Sequence, residues 1–245
     1  MTADNGKVSP VWAIDIQGLT KSFGNSLALR GIDFQVGQGE SVVIFGPNGA
    51  GKTTLIKLLA SIMNPTSGKI LINGRSLKDN AEEVRRQIGV VTHQTFLYSH
   101  LTGRENLEFY SRLYDVPRRR ERIDEVAALV GMKSRLHDRV GTLSRGMQQR
   151  LSIARCLLHR PSIILLDEPE TGLDQQATAM LWQALWSAGE SPTIVLTTHS
   201  LERGLALCER LLILAWGRIA YQGSTRALGL DDLRRTYQHC VGIEP

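Results

Sequence analysis

Residues 46–54 read Gly46-Pro47-Asn48-Gly49-Ala50-Gly51-Lys52-Thr53-Thr54, and that order leaves few folds open to the chain. A glycine is followed by four residues, then by Gly-Lys-Thr. Ahead of it stands the apolar run 41–45, patterned as a buried strand; after it, residues 55–60 are strong helix formers. A glycine-rich loop between a strand and a helix lets backbone N–H groups turn inward around phosphate oxygens. The helix that follows aims its positive end at the same anion. In such a loop, Lys52 reaches the terminal phosphates and the Thr53 hydroxyl ligates Mg²⁺. A glycine turn with no ligand is the competing explanation, and the motifs further along count against it.

The second constraint lies at residues 163–168, Ile-Ile-Leu-Leu-Asp-Glu. A strand of bulky side chains holds a carboxylate rigidly at its end, so Asp167 is placed to hold the cation beside the phosphate loop. Glu168, one step further, is placed to polarise an attacking water as general base. Two acids at a strand end could instead cap a helix; beside a phosphate loop the catalytic reading prevails.

Around these motifs the pattern alternates between strand and helix. Residues 11–17 alternate apolar and polar, as an edge strand would, and 27–36 form a second strand. Further buried strands are expected at 69–72, 88–92 and 193–199, with a hairpin about Trp216-Gly217. Residues 102–159 read as nearly all helix: Thr102 with Glu105 fits a capping box, a second helix starts at Pro117, and a third at Leu143-Ser144. A helix is expected over 174–188. The expected fold class is therefore α/β, a mixed-sheet core with an N-terminal antiparallel β subdomain. A helical subdomain at about 95–160 is inserted into one domain spanning 11–224, and 225–245 is a short tail.

Composition closes off other classes. With 42% hydrophobic and 22% charged residues the chain suits an ordinary globular protein, and no apolar run approaches the 18 residues of a membrane span. Residues 1–10 are polar without a signal-peptide core, so a cytoplasmic location is expected. Cys156, Cys208 and Cys240 lack metal-ligand spacing and read as reduced structural thiols. Part of the net charge of +5 sits in Arg118-Arg119-Arg120, with Arg122 nearby, and is expected to form a solvated helix start. Few aromatics and no recognition module argue against nucleic acid as a partner.

The stretch Leu143-Ser144-Arg145-Gly146-Met147-Gln148-Gln149-Arg150 resembles the signature motif of the ATP-binding cassette family, usually written LSGGQ. The resemblance covers roughly residues 11–224 and keeps the family's motif order. Gln94 matches the Q-loop, residues 171–174 with Asp174 the D-loop, His199 the switch histidine, and Phe23 the aromatic that stacks on adenine. Taken alone, His199 would read as a structural histidine, Phe23 as a core residue and Ser144 as a plain helix cap. The family implies the P-loop NTPase fold of this class, ATP hydrolysis, ATP and Mg²⁺ as cofactors, and a homodimer or heterodimer of nucleotide-binding subunits. Each ATP would lie between one subunit's P-loop and the other's Ser144, Arg145 and Gly146. Gln94 would touch both Mg²⁺ and a separate transmembrane permease, placing the chain peripherally on the cytoplasmic face of the inner membrane. Arg145 and Met147 depart from the usual glycine and glutamine, and Glu170 stands where a small residue is common.

Within the family, residues 93–102, 106–110, 144–150 and 199–207 are similar in wording to the ATPases of the haem exporter of cytochrome c maturation. Haem export is the expected activity on that resemblance. A generic exporter ATPase for drug, lipid or polysaccharide is the alternative, and a non-transport cassette ATPase of DNA repair or translation is further off.

Overall fold

The structure is a computed structural model describing residues 12–171, 173–186 and 191–242. In chain order its elements are β1 (Ile14–Phe23), β2 (Ser26–Val36), β3 (Ser41–Phe45), α1 (Lys52–Leu59), β4 (Ser67–Ile72), β5 (Arg75–Ser76), α2 (Ala81–Arg85) and β6 (Ile88–Val91). Then come α3 (Gly103–Leu113), α4 (Arg119–Leu129), α5 (Arg145–Leu157), β7 (Ile163–Asp167), α6 (Gln175–Trp186), β8 (Thr193–Thr197), α7 (Leu201–Leu207), β9 (Arg210–Ala215), β10 (Arg218–Ser224) and α8 (Leu230–Gly242).

Among the described residues the strands form two sheets. One is antiparallel in the order β2-β1-β4-β5; the other runs β10-β9-β3-β8-β7-β6 and is parallel except for β10. The parallel strands β3, β7 and β8 are buried almost throughout, as expected where helices or a second sheet cover both faces. Val42 and Ile44 point into a core shared with α1 and the antiparallel sheet. Val43 and Phe45 point into the opposite core, built with the helices α3 to α8. Register then sets the site: Ile44 pairs with Thr197, and Thr197 with Asp167, so the C-terminal ends of β3, β8 and β7 meet along one edge.

One close approach matters later. A Cβ on Gly204 of α7 would lie 2.2 Å from the ring of Phe45 and 3.0 Å from Val43. The bare backbone is what lets α7 rest on the strand that feeds the glycine loop.

Several sequence expectations change in detail. The strand expected over 11–17 runs to Phe23 and is not an edge: β1 pairs with β2 on one side and β4 on the other. Alternation reports one buried face, not the number of neighbours. Val11 and Ala188, the outer limits of two expected elements, lie outside the described residues. The helical stretch 102–159 holds three α-helices, with two short 3-10 turns at Lys133–Arg135 and Val140–Thr142 between α4 and α5. Its capping box is present, with Thr102 Oγ1 accepting from the Glu105 N–H and Glu105 from the Thr102 N–H.

Arg118, Arg119 and Arg120 are exposed, as expected of a solvated helix start, but Arg122 is buried. Its guanidinium donates to the carbonyls of Leu157 and Leu158 at the end of α5 at 2.5 and 3.0 Å, where a helix leaves carbonyls unpaired. No described helix is long and apolar enough to cross a membrane.

Candidate active site

The strand edge just described carries a loop whose shape follows from its glycines. Gly51 caps α1 with φ +105°, and a Cβ there would sit 2.7 Å from the Ala28 carbonyl and from a Leu29 methyl. Only glycine lets β2 come this close while the chain turns into the helix. The result is a concavity of about 180 Å³ lined by Ala28, residues 47–54 and Glu168.

Lys52 is nearly buried at 6% exposure. Its ammonium donates to the carbonyls of Gly46 (2.6 Å) and Pro47 (3.1 Å), so the loop's own oxygens hold the cation in place. Burial lowers its pKa, while the Glu168 and Asp167 carboxylates pull the other way.

Asp167 is 2% exposed. Its Oδ1 accepts from the hydroxyls of Thr197 (2.7 Å) and Thr53 (3.3 Å), which ties β7, β8 and the start of α1 together. One buried carboxylate beside one hydroxyl suits Mg²⁺, a cation that keeps several waters and takes substrate phosphate oxygens for the rest. No cluster of three or more acidic, His or Cys ligands occurs among the described residues.

Glu168 has φ +50° and its N–H donates to Thr197, so the chain turns sharply after β7 and swings the side chain toward the loop. His199, just past β8, places Nε2 2.7 Å from Glu168 Oε1. That contact needs the proton on Nε2. Lys52, Thr53, Asp167, Glu168 and His199 thus converge from separate elements on one edge.

The comparisons fit this geometry. The family model described as "ABC transporter" matches residues 29–171. The chain belongs to the ABC transporter family. It is an ATP-binding, ATP-hydrolysing subunit of that family. Among its relatives, Nod factor export ATP-binding protein I of Rhizobium sp. (strain N33) is 39% identical over 219 residues, 88% of this chain and 72% of the relative. ABC transporter ATP-binding protein NatA of Bacillus subtilis (strain 168) is 37% identical over 205 residues, 82% and 83% of the two chains. Three solved structures superpose well. An ATP-binding subunit of an ABC transporter gives a TM-score of 0.85 at 30% identity, covering 93% of this chain and 99% of that one. A dimeric, post-hydrolysis ATP-binding cassette bound to ADP and Pi gives 0.79 at 29%, covering 88% and 100%. The cbiO1 protein of Clostridium perfringens, part of the ABC transporter complex cbiONQ, gives 0.77 at 25%, covering 93% and 95%.

The remaining family positions lie apart from the pocket. Ser144 caps α5, its hydroxyl accepting from the Met147 N–H at 3.3 Å, and both Ser144 and Arg145 are exposed. Gly146 continues the first turn, whose amides lack intrahelical acceptors. None of these three lines the cavity around the phosphate loop of the same chain.

Gln94 is exposed; its backbone is pinned to the Thr92 hydroxyl, and no side-chain hydrogen bond from it to Thr53 or Asp167 is present among the described residues. Asp174 accepts from the Ala177 N–H at 2.7 Å and caps α6. Gly172 of the D-loop lies outside the described residues. Phe23 ends β1 with 52% of its surface exposed and Lys21 5.2 Å above its ring, so it is not a core residue.

Three supporting residues have roles that their sequence positions do not announce. Gln149, buried on α5, donates to the Pro169 carbonyl at 3.1 Å, joining the signature helix to the turn after Glu168. Arg155 donates to Val90 at 2.6 Å and lies over the rings of Phe96 and Tyr110. Glu170 is bonded to Arg203 and to Trp182. The only sequence signals were a polar residue on an otherwise apolar helix face and, for Glu170, the departure from the family's small residue.

Proposed function

We propose that this chain powers a membrane exporter by closing and opening a two-subunit ATP sandwich. The observation that carries the reading is a split of labour within one chain. Lys52, Thr53, Asp167, Glu168 and His199 are gathered at one edge, whereas the capped N-terminus of α5 is exposed and lines none of that pocket. A second copy, or a related subunit, would bring its Ser144 to the phosphates. The dimeric likeness bound to ADP and Pi supports that arrangement.

In the closed state the loop amides and Lys52 bind the phosphates. Thr53 and Asp167 would hold Mg²⁺, which supplies charge neutralisation on the phosphate oxygens when bound. Glu168 accepts the proton of the attacking water at a carboxylate oxygen, and His199 Nε2–H holds the other end of that carboxylate. Phe23 offers an exposed ring for adenine.

The docking surface for a permease is the exposed aromatic patch of Tyr98 and Phe109 on and before α3, whose rings meet edge to face at 5.3 Å. It adjoins Gln94 in the chain. The likeness to cbiO1, part of the ABC transporter complex cbiONQ, supports assembly with further subunits.

For cargo, the relatives shift the balance. The protein named for Nod factor export supports a general exporter of drug, lipid or polysaccharide type, and the haem expectation finds no support in these relatives. The test is capture of the membrane partner with a Glu168→Gln variant in ATP, followed by identification of the bound protein. A polytopic membrane protein is the expected result. Recovery of soluble DNA-repair or ribosomal proteins instead would overturn the transport reading.

A further inference from the structure

Glu170 has no place in the motif logic, yet the structure ties it to two helices at once. Its side chain is only 15% exposed. Oε1 accepts from Trp182 Nε1 on α6 at 2.9 Å, and Oε2 pairs with the Arg203 guanidinium on α7. The neighbouring Pro169 carbonyl accepts from Gln149 on α5. The three-residue turn 168–170 is therefore held from α5, α6 and α7 together.

Two side-chain links cross from this turn to the segment after β8: His199 to Glu168, and Arg203 to Glu170. Arg203 lies one helical turn past His199, and its N–H donates to Ser200, the cap of α7. Fixing Arg203 on Glu170 thus fixes where α7 begins, and with it where His199 stands. The same residues, Glu168 to Thr171 and Thr198 to Ser200 with Arg203, wall an open concavity of about 550 Å³. His199 is about half exposed on that wall, so packing alone holds it weakly.

We propose that Glu170 is a positioning residue that, through Arg203 and Trp182, keeps His199 on the Glu168 carboxylate and so sets the hydrolysis rate. The proposal rests on the reading of Glu168 as the base. A small residue at 170 would remove a side-chain tie between the start of α7 and the turn, and misplacing a catalytic group by about 1 Å is costly in rate but not in nucleotide affinity.

The test is kcat and KM for MgATP of the full chain bearing Glu170→Ala, Glu170→Gln or Arg203→Met, with melting temperature recorded for each. Roughly a tenfold fall in kcat with KM within about twofold is expected for Glu170→Ala and Arg203→Met, and the double variant should be no worse than either single. In a His199→Gln background, single-turnover hydrolysis should be insensitive to Glu170→Ala. Should Glu170→Ala fold poorly, Glu170→Gln, which keeps the shape and one acceptor oxygen, carries the same comparison. Native kcat in the folded single variants, or an equal fold loss with and without His199, would overturn the proposal. Native turnover in Glu168→Gln would instead sink the base assignment beneath it.

Discussion

The phosphate loop and the N-terminus of α5 are both helix starts offering backbone amides to an anion, yet the chain finishes them to different degrees. At α1 the donors are enclosed: strand β2 closes on Gly51, Lys52 is buried and already satisfied by two carbonyls, and Asp167 and Glu168 stand opposite. At α5 the cap is a lone exposed serine with an exposed arginine beside it. In the proposed function the first end holds the triphosphate, and the second completes a site begun on another subunit. The contrast teaches that charge and amides make an anion site possible, while enclosure decides whether it works alone.

The sharpest way to break this contrast is at the enclosed end. Glu168→Gln should retain ATP binding and cut turnover by roughly 10²- to 10⁴-fold, the usual range for a lost general base. Stopped-flow phosphate release gives the rate, and size-exclusion chromatography in ATP should show the dimer accumulating. Ser144→Arg is the matching change at the exposed end. Nucleotide affinity of the monomer should stay within about twofold by calorimetry, whereas ATP-driven dimerisation should be lost by analytical ultracentrifugation. If Ser144→Arg abolished monomer binding, the two ends would belong to one pocket after all.

Phe23→Ala tests the proposed adenine contact. Loss of one base stack should weaken ATP affinity by roughly five- to tenfold without touching affinity for inorganic triphosphate. Confined to acid pH, the last effect concerns the far end of α5. His159 stacks on Tyr114 at 4.0 Å and donates to the Ile88 carbonyl. Burial pushes its pKa down to about 4 from 6.5; the Ile88 bond opposes this, and Arg155 and Arg122 add to it. The unfolded chain therefore binds the extra proton first. Stability is intact above pH 6.5 and falls as the pH drops toward 4, by on the order of 1.4 kcal/mol for each pH unit crossed. Thermal melts of the native chain against His159→Gln across that window should show the acid limb flattened in the variant.

That Gly51, Lys52, Thr53 and the pair Asp167-Glu168 would meet was legible in the sequence, because phosphate chemistry dictates residue types at fixed local spacing and the structure brings these residues to one edge. The parallel strands were legible as apolar runs for a similar reason, since burial on both faces leaves no polar alternation. What escaped was non-local. Arg122 sits four residues from Arg118 and looks the same in sequence, yet one plugs the end of α5 while the other meets solvent. Glu170, Gln149 and Arg155 likewise depend on partners 12 to 65 positions away. β1 passed for an edge because its second neighbour, β4, enters only after the α1 excursion.

Gly204 gives the molecule a mechanical property that no catalytic side chain supplies. Because its bare backbone bears on Phe45, α7 packs directly on the ring that immediately precedes the phosphate loop. A side chain at 204 would have to lift α7 off that ring, and with it the segment that begins at His199.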